Sequence, residues 1–146
     1  MKRHRSIGRL ISCAHRLTTS HIHNELGKYG IGSGQTLFLM RLYRGDGINQ
    51  EALARDLMTD KATSMRAIKK LELAGYVRRE IDPADKRSYK IYLAIKAEKL
   101  RPAVRRILDD WTNQLLTGFS REEKEKLFDF LERIVENAAT KKETSR

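Results

Sequence analysis

Four cations on one short segment are the side chains in this sequence best suited to binding a charged polymer. Lys61, Arg66, Lys69 and Lys70 lie close together, and no acidic residue interrupts them before Leu71. Ammonium groups bind phosphate oxygens, whereas a guanidinium can also pair with both acceptors on the edge of guanine. The segment therefore predicts contact with a nucleic acid, with Arg66 as the candidate for reading a base. An ordinary solvated helix face is the alternative interpretation.

A short basic loop carries the second candidate site. Arg87 could enter a narrow minor groove, where the negative potential of DNA is concentrated. Asp85 comes shortly before it, and a carboxylate in a basic loop is best explained as the partner that orients Arg87. Lys86 lies between them and adds positive charge. A surface ion pair of little energetic effect is the alternative.

The cationic segment is predicted to be the second helix of a helix-turn-helix pair. Asn49 can cap a short first helix, and Thr59 or Asp60 can cap the second, which is predicted over about residues 60–74. A turn of this kind between two short helices is typical of DNA-binding proteins. The residues predicted to face inward are Leu53, Ala54 and Leu57 on the first helix and Ser64, Ala67, Ile68, Leu71 and Ala74 on the second.

Beyond Gly75 the spacing of apolar residues changes from the helical period to the alternation of strands. Residues 77–81 and 89–93 are predicted to form two antiparallel strands. Their connection, residues 82–88, is longer than a tight turn and contains Pro83, which does not suit a central strand. We therefore expect a projecting loop, called the wing.

Amphipathic helices are predicted on both sides of this core. The first ends near Lys28, and the last begins at a capping box formed by Ser120 and Glu123. The helix after the strands contains Pro102, which predicts either a late start or a bend. A second helix before the core is dense enough in apolar residues to be buried; its members are Leu37, Phe38, Met40, Leu42 and Tyr43. The predicted fold is mainly α with a small antiparallel β-hairpin.

The composition predicts a soluble, cytoplasmic protein that binds nucleic acid. The 146 residues suit one ordinary domain, and the net charge of +11 attracts polyanions, with an acidic membrane surface as the second possibility. The single cysteine, Cys13, excludes an internal disulfide. No apolar run approaches the roughly 18 residues of a membrane span. Arg9 and Arg16 fall where a signal peptide requires apolar residues.

Enzymatic motifs do not occur in the sequence. It contains no glycine-rich phosphate loop, no His-Glu-x-x-His and no recognisable Ser, His and Asp set, so no catalytic residue is predicted. A non-specific architectural or RNA-binding protein remains an alternative, and it predicts equal affinity for unrelated duplexes. A sequence-specific regulator instead prefers its own site by a factor of about 10³ or more.

Residues 34–93 resemble the MarR (multiple antibiotic resistance regulator) family of transcription factors. The matching residues are Gln35, Gln50 to Ala54, Asp60 to Thr63, Arg66, Leu71, Glu72, Ala74, Gly75, Val77 and Asp82 to Arg87. The resemblance implies a winged helix-turn-helix, a two-fold homodimer and a pseudo-palindromic operator. It also implies a repressor that is released by a small phenolic or aromatic anionic ligand such as salicylate, with no cofactor.

The resemblance divides the chain and extends the list of DNA-contacting candidates. Residues 33–94 are expected to form the DNA-binding lobe, with residues 1–32 and 95–146 as a helical dimerisation region. The candidates are Lys61, Ala62, Thr63, Met65, Arg66, Lys69, Lys70, Asp85, Lys86 and Arg87. Ala62, Ser64 and Met65 depart from the family's usual Ser, Val and Thr on this helix, so the base preference of relatives does not transfer.

Sensing residues are predicted on the first two helices. An aromatic carboxylate needs an apolar slot beside a cation, and the candidates for such a slot are His15, Arg16, Met40 and Tyr43. Redox sensing through Cys13 is an alternative, although a buried thiol is the simpler interpretation. Metal sensing by Cys13 with His15, His21 and His23 is disfavoured, because His21 and His23 point to nearly opposite sides of a helix.

Overall fold

The structure, a computed structural model, describes residues 5–143 and confirms the mainly helical fold. Its elements are α1 (Ile7–Gly27), α2 (Ser33–Tyr43), β1 (Ile48–Asn49), α3 (Gln50–Asp56), α4 (Lys61–Leu73), β2 (Val77–Asp82), β3 (Asp85–Leu93), α5 (Ile95–Leu115) and α6 (Arg121–Glu143). Two compact units divide within α5, one ending at Leu108 and the other beginning at Asp109. No helix among the described residues combines the length and hydropathy needed to cross a membrane.

The core of the first unit lies between α2, α4 and the sheet. Its fully buried side chains include Phe38, Leu39, Leu42, Leu53, Ile68, Leu71 and Ile91. The prediction that Leu37 is buried is wrong, because this residue is 49% exposed. Residues 38, 39 and 42 form one face of α2 that packs inward, and position 37 falls outside that face.

Three antiparallel strands form the sheet, in the order β1, β3, β2. β1 pairs Ile48 with Ile91 and Asn49 with Lys90. The sequence did not predict this strand, because two residues are too few to show an alternating pattern. β1 joins the start of α3 to the middle of the sheet.

The predicted long wing loop is wrong in its length. β2 continues to Asp82 and β3 begins at Asp85, so the turn consists of Pro83 and Ala84. The Asp82 carboxylate closes this turn by accepting the N–H of Ala84 at 2.9 Å. Ile81 pairs with Tyr89 and Asp82 with Asp85, so residues 86–88 bulge from β3 without opposite residues on β2.

Local signals located the helix starts correctly. Asn49 caps α3 by accepting the N–H groups of Glu51 and Ala52, and Asp60, rather than Thr59, caps α4. The predicted capping box before α6 is also present: the N–H of Ser120 donates to Glu123, and the N–H of Glu123 donates to the Ser120 hydroxyl. α5 begins at Ile95 and continues through Pro102, so the alternative of a late start is wrong.

α1 contacts the core of the first unit only near its C-terminal end. Ile22 and Leu26 are its buried residues, whereas its earlier apolar side chains are exposed. Cys13 lies in this exposed part, so the prediction of a buried thiol is wrong for the single chain. The apolar stripe that predicted α1 therefore remains largely uncovered.

Candidate nucleic-acid interface

α4 presents a cationic face opposite an apolar one. Ser64, Ala67, Ile68 and Leu71 are buried, so this side of the helix is fixed against the core. The exposed residues on the remaining surface include Lys61, Ala62, Met65, Arg66, Lys69 and Lys70, as predicted. The period of the helix alone separates these two sets. A rigid cationic face of this kind can lie against a polyanion without loss of core packing.

The first turn of α4 contains a chain of hydrogen bonds that ends at Arg66. The N–H and the hydroxyl of Thr63 both donate to the Asp60 carboxylate, at 2.8 Å and 2.7 Å. Arg66 in turn donates to the Thr63 hydroxyl at 3.3 Å. These Thr63 bonds lower the pKa of Asp60, so its carboxylate stays ionised at lower pH than an ordinary aspartate. A phosphate approaching Thr63 must compete with this carboxylate, whereas Arg66 remains exposed.

The wing bulge places two cations in solvent. The Arg87 side chain is 95% exposed. Asp85 accepts the backbone N–H of Arg87 at 3.0 Å, while the Arg87 Nε lies 3.7 Å from the same carboxylate oxygen. Asp85 thus holds the backbone of Arg87 more closely than its guanidinium. Lys86 is exposed beside it.

At the base of the wing, polar side chains from distant parts of the sequence meet. The Asn49 amide donates to Asp82 Oδ2 at 2.9 Å and to the Ser88 hydroxyl at 2.7 Å. The Ser88 hydroxyl donates to Glu51. These bonds from Ser88 and Asn49 lower the pKa of Glu51 and of Asp82 respectively. Sequence reasoning assigned Asn49 only as a helix cap and did not single out Glu51 or Ser88.

The four candidates for ligand binding do not line one slot. His15 and Arg16 lie in a polar hollow of about 430 Å³ on α1, which is also lined by Thr19, Ser20, His23, Asn24 and Ser33. Met40 and Tyr43 instead pack against the core. The Tyr43 hydroxyl donates to the carbonyl of Ala97 at 2.6 Å, and burial raises the pKa of Tyr43 to about 12. Among the described residues, no group of three or more His, Cys, Asp or Glu could hold a metal ion.

Comparisons with known proteins agree on one family. A family model described as the MarR family matches residues 31–89. The uncharacterized HTH-type transcriptional regulator YybA of Bacillus subtilis is 39% identical over 104 residues, which are 71% of this chain and 69% of that protein. Transcription regulators of this kind are not enzymes, as the sequence predicted.

Solved structures extend the likeness to nearly the whole chain. The crystal structure of a MarR transcriptional regulator from Methanosarcina mazei is 43% identical, with a TM-score of 0.85 over 92% of this chain and 96% of that one. A putative MarR family regulator from Listeria monocytogenes, solved in complex with a 26mer DNA, is 29% identical with a TM-score of 0.80 over 94% of this chain and 91% of that one. With the three-stranded winged helix described above, these likenesses establish that the chain belongs to the MarR family of DNA-binding transcriptional regulators.

Proposed function

We propose that the protein is a homodimeric repressor that binds a pseudo-palindromic DNA operator through α4 and the wing. The observation that carries this proposal is the cationic face of α4, which is exposed along a helix whose opposite face is buried. An exposed helix of this type fits the major groove, where each base pair presents a distinct set of donors and acceptors. The Listeria relative was solved in complex with a 26mer DNA, which supports binding of double-stranded DNA by this chain.

Within this interface the exposed residues have separate roles. Arg66 is the base-reading residue, because its guanidinium is free to pair with guanine while the Thr63 hydroxyl supports it. Met65 can contact a thymine methyl, and Lys69 and Lys70 contact phosphates. Lys61 extends the same phosphate contacts to the first turn of α4. Ala62 lies at that turn and leaves room for the backbone to approach the DNA.

The wing provides a second point of contact. Arg87 enters the minor groove, and its 95% exposed side chain supports this role because only its long ion pair with Asp85, at 3.7 Å, has to be given up. Lys86 contacts the adjacent phosphates, and Asp85 fixes the backbone that carries both cations. The proposed DNA-binding lobe is residues 33–94.

The terminal helices, in residues 1–32 and 95–146, form the dimer. On α1 the exposed apolar side chains are Ile7, Leu10, Ile11 and Leu17, and on α6 they are Phe128, Phe130, Leu131 and Val135. Exposed apolar surface of this extent is typical of a protein interface. A two-fold dimer then places the two α4 helices roughly 34–36 Å apart, one turn of DNA.

A sedimentation experiment tests the dimer. The wild type is expected at twice the monomer mass of 16.9 kDa, and Val135→Glu is expected to shift it towards the monomer by burying a charge in the interface. Glu136→Gln changes a neighbouring exposed position and is the control. A wild type that remains at 16.9 kDa at micromolar concentration would overturn the dimer.

Selection of bound sites from random duplex DNA tests sequence-specific binding. A repressor recovers one two-fold symmetric sequence and prefers it over unrelated duplexes by a factor of about 10³ or more. Transcription from a promoter that contains this sequence then falls when the protein is added. Recovery of unrelated sequences with equal affinity would instead identify a non-specific architectural protein.

Release by an aromatic carboxylate such as salicylate is the proposed regulation. The hollow on α1 supports only the cationic half of such a site, because Arg16 can pair with a carboxylate there while the other lining residues are polar. Salicylate is expected to weaken operator binding. It does so if it binds the form that does not bind DNA more tightly than the form that does. Arg16→Gln is expected to abolish this response, whereas Arg9→Gln, which lies outside the hollow, retains it. No effect of salicylate on the wild type would contradict the proposal.

A further inference from the structure

Two polar side chains are buried where the wing meets α3. The residue Asp82 is 5% exposed and Ser88 is 4% exposed, although neither lies in the apolar core. Buried polar groups destabilise a fold unless they are paired. Asn49 and Glu51 provide the partners, so the four side chains form one connected set, called here the wing anchor.

Asn49 occupies the centre of the wing anchor and uses both ends of its amide. Its oxygen accepts the N–H groups of Glu51 at 2.9 Å and Ala52 at 3.3 Å, which caps α3. Its nitrogen donates to Asp82 and Ser88. Asp, Ser and Thr are also good caps, but none of them offers this NH₂ donor. Position 49 thus requires more than a helix cap.

The wing anchor determines the geometry of the bulge. Residues 86–88 bulge from β3, and Ser88 turns inward to the anchor while Lys86 and Arg87 turn outward. Asp82 holds the other side of the hairpin and also accepts the turn N–H of Ala84. Asn49 thus binds Ser88 at one end of the bulge and Asp82 on the strand opposite, so it links the bulge that carries Arg87 to the other side of the hairpin.

We infer that Asn49, acting through its side-chain NH₂, is a positioning residue that directs Arg87 into the DNA. This inference rests on the proposed function, in which Arg87 contacts the minor groove. A loop whose backbone is already positioned loses less conformational entropy on binding than a loop that samples many conformations. The wing anchor therefore contributes to affinity although none of its members needs to touch DNA.

A double-mutant cycle on the selected operator tests the inference. Asn49→Ser keeps an oxygen that caps α3 but removes the NH₂ donor. Asp82 keeps the N–H of Ala84 and Ser88 keeps Glu51, so the variant should fold with a lowered melting temperature. We expect Asn49→Ser to weaken operator binding about five- to tenfold, and Asn49→Ser with Arg87→Ala to bind no more weakly than Arg87→Ala alone. Both single variants should lower the dependence of affinity on salt to a similar degree.

A matched cycle with α4 provides the control. Asn49→Ser and Lys69→Ala should weaken binding additively, because Lys69 lies on a helix that the wing anchor does not hold. Ser88→Ala is a second route to the same test: it removes the inward contact of the bulge and leaves Asn49 intact. It is expected to show the same coupling to Arg87, and it decides the question if Asn49→Ser does not fold.

Three results would overturn the inference. They are wild-type affinity in both Asn49→Ser and Ser88→Ala, additive losses with Arg87→Ala, or an Arg87→Ala variant that binds as the wild type does. Failure of the wild type to select any sequence would instead contradict the proposed function itself, so the two failures are distinguishable. Anisotropy titrations with labelled operator, repeated at several salt concentrations, measure all of these quantities.

Discussion

α4 and the wing both present cations to solvent, but the molecule supports them by different means. α4 stands on buried apolar residues such as Ile68 and Leu71, and its cap at Asp60 is local in sequence. The wing depends on hydrogen bonds between Asn49, Asp82 and Ser88, which are far apart in the chain. Apolar packing gives stability without strict direction, whereas hydrogen bonds depend on direction. Loss of the buried apolar contacts should therefore unfold the α4 region. Loss of the hydrogen bonds should instead leave the wing folded but change the direction in which it points.

The largest effect is expected from the apolar support of α4. Ile68 is 1% exposed, so Ile68→Ala should lower the free energy of unfolding by about 2–5 kcal/mol through lost burial and a cavity. Ile81 on β2, next to the wing, is 62% exposed, and Ile81→Ala is the matched control with a change of roughly 0.5 kcal/mol or less. Urea unfolding measures both. Equal losses would remove the distinction between the two regions.

Arg66→Ala comes next and concerns base reading by α4. It should cost about 1–3 kcal/mol of operator affinity and relax the preference at the base that Arg66 contacts. Lys69→Ala should instead weaken binding uniformly on all duplexes and reduce the salt slope by about 1. Competition binding with single-base operator variants separates the two outcomes. A uniform loss from Arg66→Ala would reassign this residue to phosphate contact.

Arg87→Ala should cost about tenfold in operator affinity, or ~1.4 kcal/mol, without changing the melting temperature. The reason is that Arg87 is 95% exposed and contributes little to the folded chain. The loss should be greater when the flanking DNA is A·T-rich, since its narrow minor groove attracts arginine. Anisotropy and thermal melting check the two halves of this prediction. Unaltered affinity would show that the wing does not contact DNA.

The smallest effect concerns acid stability, to which both regions contribute. Hydrogen bonds lower the pKa of Asp60 at α4 and of Asp82 in the wing below their unfolded values. Their stabilisation is therefore complete above the unfolded pKa of about 4 and is lost as the pH falls through the lower folded values. Unfolding by urea between about pH 6 and pH 2.5 should show this decline.

Variants of Asp60 and Asp82 show how much of the stability lost in acid comes from α4 and how much from the wing. Asp60→Asn keeps a cap on α4 but removes the titrating group, so its stability should fall less steeply below about pH 4. Asp82→Asn makes the same change in the wing. A wild-type free energy of unfolding that rises as the solution is acidified would contradict the direction of both shifts.

Sequence reasoning recovered what is local and missed what depends on distant partners. The helical period separated Lys69 from Ile68, and the caps Asn49 and Asp60 have short-range signatures. The inward turn of Ser88 has no such signature, because it depends on Asn49 and Glu51 across the fold. The short turn at Pro83 and Ala84 was missed for the same reason, since its register depends on pairing along the whole hairpin.

The sequence also could not show which surface covers the apolar side of a terminal helix. The apolar stripe of α1 correctly predicted a helix but not which surface covers it. Cys13 illustrates this, because its exposure depends on what packs against α1 rather than on its own neighbours. The apolar stripes of the terminal helices predicted that these helices pack on each other or on a second chain, and the MarR resemblance favoured the second chain.

β1, although only two residues long, joins parts that could otherwise move separately. It pairs the segment between α2 and α3 with β3, so the start of α3 is linked by backbone pairing to the strand that carries the wing. These backbone pairs therefore oppose bending of the wing away from α3. In the proposed dimer, a ligand would therefore change the distance between the two DNA-binding lobes rather than the direction of each wing.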